Sequence, residues 1–158
     1  MANDDATEVT TDAPEGGKDS ETETATFRDK YVYEDGVAVE VTKIRHGKVK
    51  RADVEYADEA KAGDDFVVLT IRVKNGSKER IDSFGSATLT YGPDGEEAVD
   101  PYLASEPEEM DMSGKILPGR AKIATETFLI PAKYQEDPVL EFDFDSDHES
   151  AIFTGSLN

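Results

Sequence analysis

The chain has 158 residues, and its 36 Asp and Glu against 17 Lys and Arg give a formal net charge of −19. That length suits one domain, and a field of that sign repels nucleic-acid phosphates and anionic membranes, which argues against nucleic acid as a partner. No cysteine is present, so disulfide, zinc-thiolate and thiol-nucleophile chemistry are excluded.

Residues 1–25 are rich in Asp, Glu, Thr, Gly and Ala, with Val9 the only large aliphatic besides Met1. They carry eight acids against Lys18, which leaves a charge of −12 for the rest. A segment of this kind cannot bury enough apolar surface to offset its ordering entropy, and it reads as a disordered acidic tether. Residues 26–158 hold every Phe and Tyr and read as the folded domain. No apolar run reaches the length of a membrane span, and no segment reads as a signal peptide. An acidic, Thr-rich tether ahead of a β-domain fits a secreted protein.

Strand signals dominate the domain. Phe27 to Tyr33 opens it, and Asp35-Gly36 makes a turn. Val37, Val39, Val41 and Ile44 then face the core, with Glu40 and Thr42 outward. His46-Gly47 reads as a second turn, followed by a strand over Lys48 to Tyr56 with a bulge between Val49 and Ala52. Tyr56 to Asp65 reads as a loop with a helical turn near Glu59-Ala60-Lys61. Phe66 to Val73 is the most apolar segment, which suits a central strand. Ile81 marks a short strand, and Ala87, Leu89 and Tyr91 alternate with Thr88 and Thr90. Pro93-Asp94-Gly95 is a turn in which Pro fixes φ and Gly accepts the left-handed position. Ser105 to Glu108 has capping-box spacing and predicts one helical turn ending by Met112. Strands follow over Ala121 to Ile130, stopped by Pro131, over Leu140 to Phe144, and over Ala151 to Leu157. Eight or nine strands with almost no helix predict an all-β, immunoglobulin-like antiparallel β-sandwich.

Several segments carry a likeness beyond alternation. They are Asp35-Gly36-Val37-Ala38-Val39, the strand Phe66 to Val73 with Asn75-Gly76, Leu89 to Gly95, Leu117-Pro118-Gly119-Arg120 and Phe128-Leu129-Ile130-Pro131. In this order they resemble the immunoglobulin-like domain-of-unknown-function family of Gram-positive, especially actinobacterial, secreted proteins and lipoproteins. The mycobacterial secreted immunoprotective antigen has a similar fold. The likeness spans residues 27–157. It implies an extracellular or cell-surface domain with no enzymatic activity, no cofactor and no settled ligand, so it transfers no site residues. It also implies a lipid-bearing Cys ahead of the tether. This sequence contains none, so membrane attachment would need an anchor outside it.

Two constellations carry possible chemistry. The run Asp143-x-Asp145-x-Asp147-His148-Glu149 offers alternating hard oxygens suited to calcium. It departs from a helix-flanked calcium loop at His148 and Thr154, and the competing reading makes Asp143 and Asp145 the solvated face of a strand whose Phe142 and Phe144 face the core. Lys43, Arg45, His46, Lys48, Lys50 and Arg51 form a basic island in an acidic chain. They suit an anion site for a cell-wall polymer or an acidic protein, against the alternative of internal charge balance. Glu106, Glu108, Glu109 and Asp111 read as a solvated loop, since a hydrolytic pair needs a set separation across a cleft. No nucleophile motif is present. The sequence thus points to a non-enzymatic binding or structural domain whose partner is an unidentified protein or cell-envelope component.

Overall fold

The computed structural model describes residues 8–10, 24–55, 60–106, 108 and 112–158. Its strands are β1 (Glu8–Thr10), β2 (Ala25–Thr26), β3 (Lys30–Val32), β4 (Val37–Lys48), β5 (Asp65–Asn75), β6 (Ile81–Ser83), β7 (Ser86–Tyr91), β8 (Glu96–Glu97), β9 (Gly114–Ile116), β10 (Ala121–Leu129), β11 (Val139–Asp143) and β12 (Ala151–Thr154). One sheet has the order β1-β3-β4-β5-β10 and the other β2-β12-β11-β7-β8, with β6 and β9 paired separately. The chain passes from β5 in the first sheet to β7 in the second, and again from β10 to β11. That crossing between sheets is the Greek-key arrangement of an immunoglobulin-like sandwich. The pairing is antiparallel except at two edges, where β1 runs parallel to β3 and β2 parallel to β12.

The core follows from alternation. On β5, Val67, Leu69, Ile71 and Val73 are all fully buried and meet Val37, Val39 and Val41 of β4. Leu89, Leu140, Phe142 and Phe153 close the core from the second sheet. Apolar residues every second position put one face of each sheet inward, as the sequence predicts. A smaller cluster lies on the outer face of β5, where Phe66 and Val68 pack with Val49, Ala60 and Leu103. This second layer explains why the β5 sequence is apolar on both faces.

Three expectations need correction. His46-Gly47 is not a turn: β4 runs unbroken through it, and Gly47 pairs with Phe66 across the ladder. A Cβ at Gly47 would stand 2.4 Å from Cζ of Phe66. The glycine makes room for an aromatic ring, not for a chain reversal. The strand expected over Lys48 to Tyr56 is a 3-10 helix at Arg51–Glu55, and the bulge lies earlier, between Val41 and Lys43. Of the proposed tether, residues 1–7 and 11–23 lie outside the described residues, while Glu8–Thr10 and Ala25 take strand positions. The helical turns placed near Glu59 and between Ser105 and Met112 fall largely on residues 56–59, 107 and 109–111, also outside the described residues.

Candidate functional site

The acidic run after β11 becomes a charge network around one imidazole. Asp145 is buried, although its reading as a strand face would expose it. Its Oδ1 accepts the backbone N–H of Asp147 at 3.2 Å and of His148 at 2.9 Å. Its Oδ2 lies 2.8 Å from His148 Nδ1, while His148 Nε2 lies 2.7 Å from Asp35 Oδ2. The His148 side chain is only 7% exposed and packs edge-on to Tyr33. Burial alone lowers the imidazole pKa, but hydrogen bonds and charge from Asp145 and Asp35 outweigh it and raise it to about 9. His148 is therefore a cation that ties the β3–β4 turn to the β11–β12 turn. Ser150 Oγ donates to Asp143. Asp143 and Asp145 are thus engaged by Ser150 and His148, Asp147 is exposed, and no group of three or more ligands that could hold a metal occurs among the described residues.

The basic island divides in two. Arg45 pairs with Glu106, and Lys48 Nζ lies 2.6 Å from Asp65 Oδ1. That ion pair holds the Asp65 carboxyl below its ordinary range. Lys43, Lys50 and Arg51 are exposed and have no acid partner among the described residues.

The bulge explains where Lys43 goes. Val37, Val39 and Val41 face inward, so unbroken alternation would bury residue 43. Instead Lys43 pairs with Thr70 directly after Val41 pairs with Ile71, leaving Thr42 as the extra residue. Ile44 takes the core-side position, and Lys43 swings out to solvent. Bulges re-aim side chains in this way. The re-aimed segment lines a cavity of about 340 Å³ together with Phe27, Arg28, His46, Ser156, Leu157 and Asn158. Its lining combines the apolar Phe27, Val41, Ile44 and Leu157 with Arg28, Lys43 and His46, and no Asp or Glu among the described residues lines it. Arg28 drew no notice in the sequence, because nothing local links residue 28 to residues 43–46.

A third cluster was also missed. Glu126 shares its face of β10 with the core residues Ala124 and Phe128. Burial first, then the charges of Asp100 and Glu108, raise its carboxyl pKa to about 8. Burial and a hydrogen bond with Asp100 raise that of Glu108 to about 7, although Glu108 Oε2 accepts the Thr127 N–H at 3.0 Å. Glu108 is thus not part of a solvated loop. Glu126 Oε1 is buried with no hydrogen-bond partner among the described residues.

The fold is an all-β, antiparallel β-sandwich. No protein-family model matches the chain, and no curated protein matches it. Two solved structures resemble it. One is an uncharacterized β-sandwich protein from Clostridium difficile 630, 15% identical, covering 87% of this chain and 98% of its own, with a TM-score of 0.46. The other is a conserved hypothetical protein from Bacillus anthracis, 13% identical, covering 80% of this chain and 94% of its own, with a TM-score of 0.44.

Proposed function

We propose that the chain is a non-enzymatic binding domain, displayed outside the cell, that engages an anionic cell-envelope polymer along β4 and the 3-10 helix after it. One observation carries this reading. Lys43, Lys50 and Arg51 are exposed without an acid partner among the described residues, in a chain where acids outnumber bases by 36 to 17. Random surface placement in such a chain would bring acids to these cations. Their spread from β4 (Lys43) to the start of the 3-10 helix (Lys50, Arg51) suits an extended polyanion better than a compact ligand. The remaining acids repel the polymer, but at about 0.1 M salt the Debye length is about 10 Å, so distant charges are screened while contact pairs persist. The extracellular setting rests on the acidic segment ahead of the domain and on the resemblance to secreted Gram-positive proteins.

The test is retention on immobilised polyphosphate and on isolated cell-wall material at about 0.1 M salt. Wild type is retained, and Lys50→Glu/Arg51→Glu, with an unchanged melting temperature, is not. Equal passage of both proteins through both matrices would refute the proposal.

A further inference from the structure

We infer that the cavity beside the β4 bulge is a site for a small amphiphilic anion, a carboxylate or phosphate carried on an apolar body. The inference rests on the anionic-ligand reading above and adds the shape and chemistry of one subsite. The cavity holds about 340 Å³, at the small end of the roughly 300–1,000 Å³ usual for ligand sites. Phe27, Val41, Ile44 and Leu157 make an apolar wall. Three of these four are among the buried core residues, so the cavity opens directly onto the edge of the core.

Three nitrogen-bearing side chains are among the lining residues. Arg28, Lys43 and His46 contribute cationic or hydrogen-bonding nitrogens. Arg28 is oriented by one hydrogen bond, from Nη2 to the main-chain oxygen of Asn158 at 3.5 Å, which leaves most of its five donors available. Lys43 and His46 have no ion-pair partner among the described residues. A guanidinium matches a carboxylate or phosphate in bidentate geometry, and an ammonium adds a point charge. The bulge turns Lys43 out of the core and keeps Ile44 against it. Both residues line the cavity.

The site predicts a double requirement. A bare anion lacks the apolar contact and an alcohol lacks the charge, so neither should bind as an amphiphilic anion does. The experiment is an amide-resolved NMR titration of the full chain with decanoate, decyl phosphate, decanol, acetate and inorganic phosphate. Decanoate or decyl phosphate should shift the amides of Thr42, Lys43, Ile44, Ser156 and Leu157 saturably, and the tighter of the two identifies the head group. Arg28→Gln/Lys43→Gln should weaken that binding at least tenfold and leave the rest of the spectrum in place. Absence of saturable shifts at those amides, decanol binding as tightly as decanoate, or undiminished binding by the variant would each overturn the inference. Retention on polyphosphate without decanoate or decyl phosphate binding would remove the subsite and leave the polymer reading intact. The reverse result would remove the polymer reading and leave the subsite.

Discussion

The β11–β12 turn and the flank of β4 both concentrate charge, and they differ in what that charge meets. At the turn, one imidazolium is enclosed by Asp145 and Asp35 and sealed under Tyr33 and Phe144. Its charge is met by two of the protein's own carboxylates. On the flank, Lys43, Lys50 and Arg51 stand in water with no acid partner among the described residues. Removing a charge should therefore unfold the first region and leave the second folded but unable to bind.

The largest expected effect is at the turn. Asp145→Ala leaves His148 facing Asp35 alone and removes the acceptor for two backbone N–H groups. Loss of one member of a buried ion pair typically costs about 3–5 kcal/mol, and chemical denaturation of this variant should show a loss of that size. A loss under about 1 kcal/mol would mean that the turn behaves like an exposed ion pair, and the contrast with β4 would fail.

A smaller effect is expected at Gly47, which keeps the cation-bearing strand straight against Phe66. Gly47→Ala drives a methyl group into the Phe66 ring, and overpacking of this kind costs about 1–3 kcal/mol. Gly47→Ala/Phe66→Leu should recover most of that loss, and thermal melts of the pair check it.

The dependence on pH sharpens the comparison. His148 has a folded pKa of about 9 against an ordinary 6.5, so the folded chain keeps a proton that the unfolded chain releases. That stability is fully present below pH 6.5 and is lost as pH rises through about 9. Glu108 and Glu126 act in the same direction, because their folded values of about 7 and 8 stand above an ordinary 4.5. Their contribution is full below pH 4.5 and is lost as pH rises through about 8. Wild type should melt at a lower temperature at pH 9.5 than at pH 6. Glu126→Gln should flatten the curve between pH 5 and 8, and His148→Gln should flatten it between 6.5 and 9. Steadily rising stability from pH 5 to 9.5 would contradict both assignments.

Much of the sandwich was legible because alternation is a local signal. Val37, Val39, Leu69, Ile71, Phe142 and Phe144 declare their inward faces through their immediate neighbours. The sites were less legible because their partners are distant in sequence. His148 meets Asp35 across 113 positions, and Glu126 feels Asp100 from a segment well before β10, so neither network leaves a spacing motif. Lys43 is an intermediate case. The run Val37, Val39, Val41, Ile44 shifts phase at residue 42, and that shift is the bulge written into the sequence. Reading His46-Gly47 as a turn hid it, since a glycine that accommodates a ring looks the same in sequence as one that reverses the chain.

The smallest effect on the fold and the largest on binding are expected from the same variant. Lys50→Glu/Arg51→Glu changes only exposed charges, so its stability should stay within about 0.5 kcal/mol of wild type. The decisive measurement is calorimetric titration of polyphosphate into wild type and this variant at about 0.1 M and about 1 M salt, where the Debye length falls from about 10 Å to about 3 Å. Unpaired cations on β4 and at the start of the 3-10 helix predict saturable binding by wild type at the lower salt only, and none by the variant at either. Binding that survives 1 M salt, equal binding by the variant, or no binding by wild type at 0.1 M would contradict the claim that this flank is held open for an anion.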